Sequence, residues 1–262
     1  MKKILALVDF TPITEKVIQQ SVILAKQNNA ALCLCHFIHG DTPKAEMEQK
    51  LAAYQQQLKS EGIVSETLCS EGNLYQDIDE VALRFMADLV IVGTHGKVGL
   101  RQNLFGSNIW KLVNAIPCST LIISDATKIN PQGFQKILMP LGPHPSFNKK
   151  AIFTSQLLAP GGTIQIFAIQ KPGVPIGTDM LKISADTQRV YSDEQIKNSY
   201  VEIESSHFSV GYSRDTLEYA KNENYDAISI LTEVSEVNAH FGQIDKENLV
   251  VNELGIPILC VR

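Results

Sequence analysis

The sequence predicts an α/β protein built from two tandem parallel sheets, each covered by helices on both faces. Two observations carry this. Short apolar, β-branched runs alternate with longer segments of helical period, the mark of strands joined by helical crossovers. The whole pattern then recurs. Lys3-Ile4-Leu5 returns as Lys136-Ile137-Leu138, and Lys16-Val17-Ile18, Ser21 and Leu24-Ala25 return as Lys150-Ala151-Ile152, Ser155 and Leu158-Ala159. Asp88-Leu89-Val90-Ile91 is answered by Asp226-Ala227-Ile228-Ser229, and Ala115-Ile116-Pro117 by Gly255-Ile256-Pro257. Matched order over both halves argues for a duplicated domain, with its joint in the Asn/Pro/Gly-bearing stretch 124–135. The domains are then 1–128 and 133–262.

In the first copy, strands are expected at 3–9, 31–38, 64–69, 88–92 and 119–124. The opening MKKILALVDF imitates a secretory leader, but Asp9 ends its apolar run too early, and it reads as a buried first strand. Helices fill the gaps at 12–28, 43–61, 73–86 and 104–115. Thr11-Pro12 is a good start for the first, because a hydroxyl can cap and proline tolerates the first helical position. Val17, Ile18, Leu24 and Ala25 fall on one face of that helix, the face that should lie on the sheet.

Composition narrows the function. With 262 residues, 44% of them hydrophobic, there is enough chain for two cores. A net charge of −5 and the lack of a basic stretch argue against nucleic acid and anionic membranes as partners. No apolar segment approaches the roughly 20 residues that cross a bilayer, so a soluble protein is expected. The cysteines at 33, 35, 69, 118 and 260 form an odd set without framework spacing, and four lie in apolar runs, which fits free thiols in a reducing cytoplasm. No histidine shows spacing that suits a dedicated metal site.

The stretch GTHGKVGLRQNLFGSN, 93–108, is bare of apolar runs yet lies between two buried strands. In an open parallel sheet, ligands sit beyond the carboxyl ends of the strands where strand order reverses, and Asp9 and Gly93 both fall at that edge. The spacing is Gly93, Gly96, then Gly106-Ser107, which matches neither a Walker loop nor a dinucleotide fingerprint. It can lay backbone N–H groups along a phosphate chain, while Gly106-Ser107-Asn108 opens a helix whose N-terminus attracts an anion.

This G-x2-G-x9-G-S arrangement after a fourth strand resembles the ATP-binding signature of the universal stress protein family. The opening ILALVD and the run CHFI resemble the family's first strand and second-strand ending. Two copies would make a tandem-type member. The resemblance implies a doubly wound, five-stranded, Rossmann-like sheet in each half, of the adenine nucleotide alpha hydrolase-like kind, and two halves related by a pseudo-twofold axis. That would be a dimer within one chain, with a homodimer of chains also open, paired through the apolar end strands of the copies. It further implies that Asp9 accepts from the adenine edge and that Phe37 walls the base. Gly93, Thr94, Gly96, Gly106, Ser107 and Asn108 would hold ribose and phosphates. The ligand would be ATP, ADP or AMP, with Mg2+ able to arrive on the phosphates. A cytoplasmic regulatory or stress-response role is implied, with an unidentified protein partner.

Other readings stay open beside these. Asp9 can simply cap the turn into the first helix, the glycines can be turn formers, and His95 can be a solvent-facing loop residue. The fold can also serve as an interaction module without nucleotide. An enzyme cleaving ATP between its α and β phosphates would need glycines after the first strand, where Asp9-Phe10-Thr11-Pro12-Ile13 stands, so turnover should be slow at most. The second half departs further. Gly142 stands for Asp9, and Leu231-Thr232-Glu233-Val234 stands for Gly93-Thr94-His95-Gly96, where a glutamate would repel phosphates. That half is expected to be structural or to take a different ligand. Its segment 172–180, PGVPIGTDM, reads as a long connection after the second strand.

Overall fold

The first strand, β1 (Lys3–Leu7), is a run of apolar residues with Ile4, Leu5 and Ala6 fully buried, as a parallel strand covered on both faces requires. The computed structural model describes residues 1–38, 43–94, 106–205, 211–233 and 239–262, excluding the side chains of 106–107 and 239–241. The chain divides into two units, Met1–Pro131 and Gln132–Arg262.

The first unit continues with α1 (Ile13–Asn28), β2 (Ala31–Ile38), α2 (Lys44–Ser60) and β3 (Ser65–Glu71). It closes with α3 (Leu74–Phe85), β4 (Leu89–Thr94), α4 (Gly106–Ala115) and β5 (Ser119–Ser124). Strand order is β3-β2-β1-β4-β5, and each of these neighbouring pairs is parallel. The chain winds outward from β1 to β3, then crosses back to lay β4 on the other side of β1. Strand order therefore reverses between β1 and β4, which is where a doubly wound sheet opens a crevice. Helix α1 buries Ile13, Val17, Ile18, Leu24 and Ala25. Each fully buried aliphatic side chain of this kind contributes about 1.5–3 kcal/mol of transfer free energy.

The second unit runs β6 (Phe134–Pro140), α5 (Phe147–Ser155), β7 (Leu158–Gln170), α6 (Thr178–Asp193) and β8 (Lys197–Glu204). It ends with α7 (Ser213–Asn222), β9 (Ala227–Leu231), α8 (Ala239–Val250) and β10 (Ile258–Val261). Its order is β8-β7-β6-β9-β10, again parallel throughout, with the reversal between β6 and β9.

Three details differ from expectation. Strand β1 stops at Leu7 because Phe10 takes a left-handed conformation, φ 59°, and the chain turns there. The Thr11 hydroxyl, expected as a cap for α1, turns back to Asp9. It donates to the Asp9 carboxylate at 2.6 Å, and Pro12, at the N-cap, makes no side-chain cap bond. In the second unit, Leu158-Ala159 is not helical like Leu24-Ala25. Helix α5 ends at Ser155 and Leu158 opens β7, since Pro160 disfavours helix in the residue before it and Gly161 turns left-handed at φ 81°.

Candidate functional site

Asp9 sits two residues beyond β1 and is exposed. Its Oδ1 accepts from the Thr11 backbone N–H at 3.0 Å, the Thr11 hydroxyl at 2.6 Å and the Thr14 hydroxyl at 3.0 Å. The Asp9 N–H donates to the Thr14 hydroxyl at 3.3 Å, so Asp9 and Thr14 exchange bonds across the turn. This is a strong turn clamp, and it also fixes the carboxylate at the carboxyl end of β1. The Phe10 ring lies 4.7 Å from that of His36, whose Nδ1 is 2.8 Å from the Val8 carbonyl. These contacts hold Phe10 in its left-handed conformation, which costs a non-glycine residue of order 1 kcal/mol.

Phe37, near the end of β2, is 4% exposed. Gly93 lies in β4 with its missing side chain facing α1. A Cβ there would stand 2.6 Å from Ile13 Cγ1 and 3.0 Å from Val17 Cγ2. The glycine thus lets α1 lie close on the sheet. Thr94 ends β4 and turns its hydroxyl to the Ile123 carbonyl at 3.3 Å, tying β4 to β5. Asn108 is half-buried in the first turn of α4. Gly106 and Ser107 begin α4, their side-chain surroundings undescribed, while Gly96 and His95 lie outside the described residues.

Asp9, just beyond β1, Phe37 in β2 and Gly93 in β4 converge on one notch of about 60 Å³. Leu7, Val8, Ile13, Val92 and Leu112 wall it with apolar surface. Thr94 and Asn108 are not among the residues lining it. A small-molecule pocket usually spans several hundred Å³, so the notch seats only part of such a ligand.

The second unit holds a much larger cavity at the corresponding place, about 420 Å³, beyond the ends of β6, β7 and β9. Gly142, the counterpart of Asp9, lines it, and a Cβ there would meet open space. Three lysines line it as well, Lys171 exposed, Lys246 half-buried and Lys150 buried. Lys150, on α5, is 3% exposed, and its Nζ donates to the Pro140 carbonyl at 2.5 Å. Burial, then the nearby Lys246 charge, hold its amine well below the usual lysine range. Lys246, on α8, donates to the Thr232 carbonyl at 3.3 Å and to the Glu233 carbonyl, and burial lowers its pKa to about 8. Sequence reasoning missed Lys150. The signal was present: Phe147, Lys150, Ala151 and Thr154 share one buried stripe at helical spacing, with a lysine where an apolar residue belongs.

Among the described residues, no helix is long and apolar enough to cross a membrane. No group of three or more His, Cys, Asp or Glu side chains among them is arranged to hold a metal ion. None of the five cysteines is in a disulfide.

Residues 1–124 match the model of the universal stress protein family. The first unit is a universal stress protein domain. Universal stress protein A homolog 1 of Coxiella burnetii is 28% identical over 139 residues, which are 47% of this chain and 95% of that protein. A universal stress protein of Synechocystis sp. is 23% identical over 148 residues, 46% of this chain and 96% of its own length. Over the full chain, the fold is similar to the crystal structure of a universal stress protein from Archaeoglobus fulgidus. That likeness has a TM-score of 0.75 at 14% identity, covers 99% of this chain and 98% of the other, and shows the fold alone.

Proposed function

We propose that the first unit binds an adenine nucleotide, ATP or its di- or monophosphate, and that the protein acts as a regulatory or stress-response protein in the cytoplasm. The second unit, on this reading, is a diverged copy of the same domain. The observation that carries the proposal is the convergence of Asp9, Phe37 and Gly93 on one apolar notch at the strand-order reversal. A flat base edge fits such a notch, with the clamped Asp9 carboxylate as hydrogen-bond acceptor and Phe37 as wall. Sugar and phosphates would extend outward, toward the glycine-bearing stretch 93–108 and the start of α4, where helix N–H groups attract anions. Magnesium would come with the phosphates and be held mainly by them.

Purified protein denatured in acid should release an adenine nucleotide, or the emptied protein should bind ATP in a calorimetric titration. Failure of both overturns the reading. A second reading, an interaction module that needs no nucleotide, draws on the Asp9 clamp itself, which gives the carboxylate a complete structural role. Replacing Gly106 with a bulky residue separates the two. Loss of nucleotide with unchanged partner binding or stress survival would favour the module.

A further inference from the structure

The cavity of the second unit contains a buried amine that no described carboxylate balances. Lys150 is 3% exposed, and its contacts are the Pro140 carbonyl and the Phe147 ring, whose centroid lies 4.2 Å from Nζ. An ammonium buried without a counter-ion costs several kcal/mol, so this position favours either a neutral amine or an incoming anion. Lys246, on α8, lines the same cavity and is likewise bonded to backbone carbonyls.

The carboxylates of the cavity are engaged elsewhere. Asp245 accepts the Tyr212 and Ser213 N–H groups at 3.0 and 3.1 Å, which occupies the N-terminal end of α7. Glu233 accepts the Ser146 hydroxyl at 3.0 Å and lies 3.5 Å from His144 Nε2. A polyphosphate would face both of these negative charges and find α7 already capped. A single negative charge needs only the place at Lys150 and Lys246, and a third, exposed lysine, Lys171, also lines the cavity. Much of the remaining wall is apolar, with Leu141, Phe147, Phe167, Ile230, Leu231 and Leu249, beside the polar Tyr212, Ser213 and Thr216. A cavity of about 420 Å³ is the size that takes a small molecule whole.

We propose that the second unit binds a small monocarboxylic acid with an apolar body, its carboxylate between Lys150 and Lys246 and its chain against the apolar wall. This site is independent of the nucleotide reading of the first unit. It also accounts for the loss of the Asp9 counterpart at Gly142, where a carboxylate would oppose the ligand.

Octanoate is the probe, titrated into the full-length protein by calorimetry. Saturable binding of one octanoate per chain is expected, with octanol binding at least about tenfold more weakly because it lacks the charge. Lys150→Met and Lys246→Met should each weaken octanoate by about tenfold or more. Binding should also weaken above about pH 8 as Lys246 loses its proton. The groups facing Lys246 are Lys150, Glu233 and the Cys260 thiol, the last raised to about 12 and neutral in this range. His144, Lys171 and Asp245 line the same cavity, His144 beside Glu233 and Asp245 bonded to the start of α7. Should Lys150→Met fail to fold, Lys246→Met and the pH profile of the unaltered protein decide. Absence of saturable octanoate binding overturns the proposal, as does equal affinity for octanol or indifference to both substitutions. Competitive displacement of octanoate by ATP would assign the cavity to nucleotide and overturn it too.

Discussion

The Asp226 carboxylate accepts the Lys136 backbone N–H at 2.8 Å, as the Asp88 carboxylate accepts that of Lys3 at 3.0 Å. The same oxygens also take the preceding N–H groups, Gln135 at 2.7 Å and Lys2 at 2.5 Å. In return, each aspartate N–H donates to the carbonyl of Lys136 or Lys3. Each unit thus pins the start of its first strand to the turn that enters its fourth, and the repeat read in the sequence extends to individual hydrogen bonds.

Removing either clamp leaves backbone N–H groups at a strand start without their charged acceptor. Hydrogen bonds to charged groups are worth about 1.5–3 kcal/mol, fewer where water can replace them. Asp88→Ala and Asp226→Ala should each therefore destabilise by about 1–3 kcal/mol in urea unfolding. A loss below about 0.3 kcal/mol in either would show that water fully replaces the clamp.

Gly93 and Gly142 make a matched pair of opposite expectation. At Gly93 a Cβ would collide with Ile13, whose side chain is fixed in the core between α1 and the sheet. Overpacking of this kind costs about 1–3 kcal/mol, so Gly93→Ala should lower the unfolding midpoint and shrink the notch it lines. At Gly142 nothing stands within reach of a Cβ, and Gly142→Ala should change stability by no more than about 0.5 kcal/mol. Thermal melts of the two variants test the contrast directly.

The strands of the first unit were legible because each is an uninterrupted apolar run between turn residues, as at KILAL and ALCLCHFI. The observed bounds differ by only a residue or two from those expected, and Asp9 and Gly93 emerge at the predicted edge of the sheet. The short α5 was misread because its similarity to α1 continues in Leu158-Ala159, past the point where Pro160 and Gly161 end helical order. The cavity of the second unit was not legible at all. Its volume follows from what several distant elements leave empty together, Gly142 on one and Lys150 lying under Phe147 on another, and no one-dimensional pattern records that sum. The missing glycines after β9 suggested a structural half or one with a different ligand, and the space beyond β6 and β9 is larger than in the first unit.

Buried thiols give the fold a dependence on alkaline pH. Burial pushes the Cys33 and Cys260 thiols from 9.0 to about 12, and Cys35 upward as well. A thiol with a raised folded pKa lends stability that is whole below pH 9 and is lost as pH climbs toward the folded value, because the unfolded chain ionises first. Each such thiol should contribute a slope of about −1.4 kcal/mol per pH unit between roughly 9 and 12. Lys246 acts in the opposite sense between about 8 and 10.5, where the unfolded lysine still holds its proton and the folded one does not. Urea unfolding at pH 8 through 11 should show Cys33→Ala with a shallower loss than the unaltered protein. Parallel curves for the two would mean that Cys33 ionises as freely folded as unfolded.

Asp245 places a carboxylate where α7 would otherwise hold out its N-terminal N–H groups to an anion. Its Oδ2 accepts from Tyr212 and its Oδ1 from Ser213, and the approach is so close that a Cβ on Gly211 would lie 2.5 Å from Oδ1. The charge complements the helix dipole, a contribution of about 0.5–2 kcal/mol for a capping carboxylate. Two effects of Asp245→Ala should therefore run in opposite directions. Stability should fall by about 1 kcal/mol, while affinity for inorganic phosphate should rise, because the vacated helix end is an anion site and one negative charge has left a cavity that already holds Lys150 and Lys246. Gly211→Ala, which crowds the carboxylate without removing its charge, should lose stability yet gain no phosphate affinity. Phosphate titrations of both variants, followed by amide shifts of Tyr212 and Ser213, distinguish the outcomes. Equal phosphate affinity in Asp245→Ala and the unaltered protein would show that it is not this carboxylate that keeps phosphate away from α7.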